Sequence, residues 1–115
     1  MVIEGRQRPA TIEFATSDSR DLVALRDWLR GQGNIETTLA SLQASPGELG
    51  AGEVLIALAS SSVLSAAIKT LPDFLRSRRS GVRIEASAGN QKVVVDVTNA
   101  EDAVVVLERL LDDQP

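Results

Sequence analysis

The run GEVLIALASSSVLSAAIK, residues 52–69, decides the fold, because no charged side chain stands between Glu53 and Lys69. If residues 52–79 formed one straight helix, those 28 positions would span about 42 Å at 1.5 Å each. A compact domain of about 100 residues has a radius of gyration of only about 13 Å. The run is therefore split. EVLIALA, residues 53–59, reads as a strand buried on both faces, SSS at 60–62 as an N-cap region, and VLSAAIKTLPDFLRSRR, residues 63–79, as a helix bent at Pro72, whose ring removes one backbone hydrogen bond. Crossing a bilayer takes about 20 apolar residues, and the fifteen positions between Glu53 and Lys69 include four serines. A membrane span is not expected; membrane association through residues 54–68 stays open as an alternative.

Upstream, ATIEFAT (10–16) alternates, with Ile12 and Phe14 on one face and Thr11 and Glu13 on the other, the pattern of a half-buried strand. Ser17, Asp18 and Ser19 offer N-cap oxygens, and Leu22, Leu25, Trp28 and Leu29 recur at helical spacing before RGQG stops the helix. The outer face of that helix carries Arg20, Asp21, Arg26 and Asp27. NIETTLASL (34–42) starts as a β-branched strand whose alternation decays after Leu39, and QASPGELGAG (43–52) is turn chemistry.

Downstream, VRIEASAGNQKVVVDV (82–97) reads as a hairpin about Gly89-Asn90, with a primed turn. That register sets Val82 against Val97, Ile84 against Val95 and Ala86 against Val93, and brings Arg83 to Asp96 on the other side. TNAEDAVVVLERLLDD (98–113) opens with Thr98 and Glu101 at capping-box spacing, with Thr98 or Asn99 as the cap, and Val104, Leu107, Leu110 and Leu111 form the apolar stripe of a last helix. The expected architecture is α+β: a ferredoxin-like βαββαβ core extended by a C-terminal β-α unit, with three helices on one face of a four- or five-stranded sheet. Residues 1–115 form a single domain, in which 1–9 are expected to be a flexible N-terminus.

Composition excludes much chemistry. The chain has 115 residues, 43% of them hydrophobic, and contains neither His nor Cys, so thiol, Ser-His and Cys-His catalysis and thiolate metal sites are ruled out. Carboxylate pairs such as Asp112-Asp113 and Glu101-Asp102 diverge by about 100° on a helix and read as solvated helix-end charges. PGELGAG lacks the Lys and Ser/Thr of a phosphate-binding loop. Aromatic residues make up 3% and net charge is −4, a poor match for nucleic acid. No metal, cofactor or enzyme activity is expected. The first residues, MVIEGRQRPATIEF, lack a secretion-signal pattern, so the cytoplasm is the expected location.

Two local features invite ligands. RSRRSGVR (76–83) gathers Arg76, Arg78, Arg79 and Arg83; the plain reading is complementation of a helix C-terminus, and the functional one is an acidic protein partner. Ser60, Ser61 and Ser62 at a helix start cap it in the plain reading and receive an anion or nucleotide beside the arginines in the other. Within the central strand, Val54, Ile56 and Leu58 face one way and Leu55, Ala57 and Ala59 the other, so a sheet covered on one side only would leave apolar surface for a partner.

PGELGAGEVLIALASSSVLSAAIKTLPDFLRSRRSGVRIE (46–85), with DLVALRDWLRG (21–31) before it and NQKVVVDVTNAEDAVVVLERLLD (90–112) after it, resembles the effector-associated constant component family of actinobacteria. The resemblance implies a stand-alone adaptor, encoded beside caspase- or trypsin-type proteases and NTPases in biological-conflict systems, that connects an effector to its activation machinery. The chain departs from the family pattern at Ser60 to Ser62, where a Gly-Ser-Gly-Gly type of patch is expected, and at Asp73 and Phe74, near where a Trp is common. A protein partner is therefore expected, with homo-oligomerisation also possible in this scheme and neither nucleic acid nor a membrane span. The candidate interface is Leu55, Ala57, Ala59, Arg76, Arg78 and Arg79.

Overall fold

The structure, a computed structural model, describes residues 9–41, 53–78 and 81–112. The expectations placed on residues 1–8, on the 43–52 turn and on Arg79 lie outside the described residues. The elements are β1 (Pro9–Thr16), α1 (Ser19–Arg30), β2 (Glu36–Ser41), β3 (Glu53–Ser60), α2 (Ser61–Ile68), α3 (Leu71–Ser77), β4 (Ile84–Ala88), β5 (Gln91–Val95) and α4 (Ala100–Asp112).

The strands form one five-stranded sheet in the order β2-β3-β1-β4-β5, antiparallel throughout. The crossover through α1 leaves room for β3 between β1 and β2, and the crossover through α2 and α3 leaves room for β1 between β3 and β4. This interleaving is the ferredoxin-like arrangement, and β5 with α4 extends it at the β4 edge. The fold is therefore α+β, as the pattern of elements predicts.

The uncharged run divides as expected, into a strand and a helix. Ser60 ends β3 in an extended conformation, and its hydroxyl accepts the Val63 N–H at the start of α2. The helix beyond is not merely bent at Pro72. It stops at Ile68, and a new helix begins at Leu71. Continuing α2 through Pro72 would press the proline ring against the Ile68 carbonyl; in the first turn of α3 the missing N–H has no such consequence. The break is held by Thr70, whose hydroxyl donates to the Ala67 carbonyl at 2.6 Å and accepts from Trp28 Nε1 at 2.8 Å.

All helices cover the same side of the sheet. Ile12 and Phe14 of β1, Leu55 and Ala57 of β3, and Ile84 and Ala86 of β4 point into that side and are buried. They meet Leu22, Leu25 and Leu29 of α1, Leu64 and Ile68 of α2, Phe74 of α3, and Leu107 and Leu111 of α4. Trp28 meets Phe74 edge-on, with ring centroids 5.5 Å apart. β3 is thus buried on one face and not on both, because among the described residues no helix lies over the other.

The hairpin register holds for Ile84 with Val95 and Ala86 with Val93, and Arg83 Nε lies 3.9 Å from Asp96 Oδ2. The ladder stops there. Val82 and Val97 do not extend it: Val82 is buried and Val97 is exposed. Gly89 has φ +61° and Asn90 does not have a positive φ, which is the type II′ form of a primed turn. The capping box does not form. Thr98 turns its hydroxyl and backbone N–H to Asp96 Oδ1, while the Glu101 carboxylate pairs with Arg76.

Candidate interaction surface

The uncovered side of the sheet presents residues from every strand, and the ladder gives their neighbours. One row crosses Thr38, Ile56, Glu13, Ser87 and Lys92 from β2 to β5. Beside it, Glu36 stands opposite Leu58, and Ala40 opposite Val54. Val54, Ile56 and Leu58 therefore form an apolar stripe along β3, the second strand from one edge. Val54 and Ile56 are half-buried by their neighbours, and Leu58 is 39% exposed. Glu36 and Glu13, one from each flanking strand, are exposed on either side of the stripe.

The candidate interface residues divide differently from the expectation. Leu55 and Ala57 are at 0% exposure beneath the helices, and Ala59 is half-buried against the same core. None of the three lies on the open face, because strand parity gives that face to Val54, Ile56 and Leu58. The alternation separated the two sets of residues, but which set meets helices depends on where the chain places α1 to α4.

Arg76 and Arg78 do not form a free basic patch. Arg76 Nη1 donates to Asp73 Oδ1 at 2.8 Å and Nη2 to Glu101 Oε2 at 2.6 Å, which ties α3 to α4. Arg78 Nη2 donates to Asp21 Oδ1 at 3.1 Å, and its guanidinium carbon lies 5.9 Å from the Phe74 ring centroid. Asp21, placed on the outer face of α1 by helical spacing, is 4% exposed. Its burial becomes tolerable only with Arg78, 57 residues away in the chain.

The serines and arginines also lie apart. Ser60 pairs with Pro9 at the start of β1, whereas Ile84, next to Arg83, pairs with Thr16 at its end. Seven residues along a strand separate those positions, about 23 Å. An anion at Ser60 would therefore lie far from Arg83. Ser60 caps α2, as in the plain reading, and its hydroxyl lies 3.3 Å from that of Ser62.

A groove of about 390 Å³ opens on the uncovered side, lined by Ala15, Thr16, Ser17, Arg83, Glu85 and Val94. Its charges are paired, Arg83 with Asp96 and Glu85 with Lys92 at 3.6 Å. Among the described residues, no three His, Cys, Asp or Glu side chains converge as metal ligands, and no helix is long and apolar enough to cross a membrane. Residues 54–68 divide between β3 and α2, and Leu55, Ala57, Leu64, Ala67 and Ile68 spend their apolar surface on the core.

A protein-family model described as Effector Associated Constant Component 1 matches residues 14–113. No curated protein and no solved structure matches the chain.

Proposed function

The chain belongs to the Effector Associated Constant Component 1 family, and on that premise we propose that it is a non-catalytic adaptor that holds an effector to its activation machinery in a bacterial conflict system. The effectors implied by the family are caspase- or trypsin-type proteases, with NTPases as associated components. The observation that carries the reading is the one-sided sheet. Helices cover one face, and the other presents Val54, Ile56 and Leu58 between acidic side chains. An apolar stripe of that kind is a surface for another protein.

The side-chain repertoire supports the same reading. With no His or Cys in the sequence, the commonest general base near neutral pH and the thiol nucleophile are missing. The purified chain titrated calorimetrically with the purified product of an adjacent effector gene should give saturable binding and no turnover of either protein. Absence of binding to any neighbouring product would sink the adaptor reading.

The anion-sensor alternative loses its geometry with the separation of Ser60 from Arg83. No specific observation favours it over the adaptor.

A further inference from the structure

We infer that the open sheet face docks an amphipathic helix of another protein whose apolar seam is flanked by lysines or arginines. The inference deepens the adaptor reading and rests on it for the existence of a partner. It starts from dimensions. A helix with its side chains is about 10 Å across and strands are spaced by about 4.8 Å, so a helix lying along β3 covers β2, β3 and β1 together. Val54, Ile56 and Leu58 then lie under its seam. The stripe extends over about 13 Å, which matches about nine residues of helix.

Charge selects the occupant. Glu13 on β1 and Glu36 on β2 flank the stripe, both exposed, and among the described residues neither makes an ion pair. Asp73 and Glu101 are neutralised by Arg76, and Glu85 by Lys92; Asp102 and Asp112 are exposed and make no ion pair among the described residues, but both stand on α4 and not beside the apolar stripe. Two unpaired carboxylates beside the apolar stripe favour a partner with cations at those positions.

A second copy of this chain fits less well. Stacking two open faces about a twofold axis would bring Glu13 and Glu36 of both copies into one dry layer. The outer face of α4 has exposed Val105 and Val106, but exposed Asp102 beside them offers like charge to the sheet, and the single exposed cation there, Arg109, cannot meet Glu13 and Glu36 on two different strands at once. An anionic membrane is repelled for the same reason.

The test uses the isotope-labelled full chain and a synthetic amphipathic helical peptide with a leucine seam and lysine flanks. Control peptides carry glutamate flanks or a scrambled order. Binding should shift amide resonances of β1, β2 and β3, and the glutamate peptide should bind about tenfold more weakly. In the doubly substituted variant Glu13→Lys/Glu36→Lys that preference should reverse. Equal binding of both peptides, binding of the scrambled peptide, shifts centred on the helices, or dimerisation through the open face in sedimentation would each overturn the inference. Failure of this inference is separable from failure of the adaptor reading. An effector that binds the native chain and the charge-reversed variant equally removes the docking face and leaves the adaptor, whereas peptide recognition without any effector binding does the opposite.

Discussion

Arg78, just past the end of α3, reaches the first turn of α1 and donates from Nη2 to Asp21 Oδ1 at 3.1 Å. The pair joins the two crossover connections of the fold, and it explains how a carboxylate survives at 4% exposure. Arg78 also lies against Phe74, so part of its contribution is packing. Its Nε is buried with no hydrogen-bond partner among the described residues.

Removing the arginine should be worse than removing both partners. Arg78→Ala leaves a buried carboxylate without its cation and should destabilise the fold by about 2–3 kcal/mol. Asp21→Ala/Arg78→Ala should lose less than the sum of the single changes. Urea unfolding of the four proteins in the cycle measures the coupling; additive losses would show that the pair contributes nothing.

The two faces of β3 should respond differently to the same truncation. Leu55→Ala opens a cavity under the helices and should cost about 2–5 kcal/mol. Leu58→Ala removes a side chain that is 39% exposed and should cost less than about 1 kcal/mol. Comparable losses at both sites would mean that the open face is covered in solution.

Asp96 should give stability a dependence on acid pH. Its carboxylate accepts the Thr98 hydroxyl, and the Thr98 and Asn99 N–H groups at 2.9 and 3.2 Å. The bond from Thr98 is the main reason that its pKa lies below the ordinary carboxylate value, and backbone bonds and Arg83 add to it against some desolvation. A depressed folded pKa contributes stability that is fully present above the unfolded value of about 3.9 and is lost as pH falls through the folded value. The stability difference between the native chain and Asp96→Asn should therefore be flat from pH 5 to 8 and shrink below about pH 4. A difference that stays constant down to pH 2 would refute the role.

Asn99 should guard the exposed edge of the sheet. With a two-residue turn, the Val94 carbonyl and the Asp96 N–H point away from β4, toward the free edge of β5. Asn99 occupies both: Nδ2 donates to Val94 O at 2.9 Å, and Oδ1 accepts from Asp96 N at 2.9 Å. Asn99→Ala should destabilise by about 1–2 kcal/mol and make the chain self-associate at high concentration, since unpaired strand edges recruit other chains. Light scattering across a concentration series would detect this, and a mass unchanged from the native chain together with unchanged stability would exclude it.

Much of the fold was legible because local physics governs it. Alternation at Ile12 and Phe14, the leucine spacing of α1 and α4, and the hairpin about Gly89 each follow from periods of two or 3.6 and from one turn conformation. Length alone divided residues 52–79 into a strand and a helical segment, because a single rod of that length would outrun the domain.

What the tertiary structure decided is which side of each element meets the others. Strand parity sorted Leu55 from Leu58 but is symmetric between the two faces, and only the placement of all four helices on one side buried the first and left the second in solvent. Helical spacing put Asp21 outside, and a cation 57 residues away took it in. Arg76, Arg78 and Arg83 are close together in the chain and make separate ion pairs in space. Long-range partners decide such matters, since a carboxylate, an apolar side chain or a guanidinium has its energy set by what the folded chain brings against it.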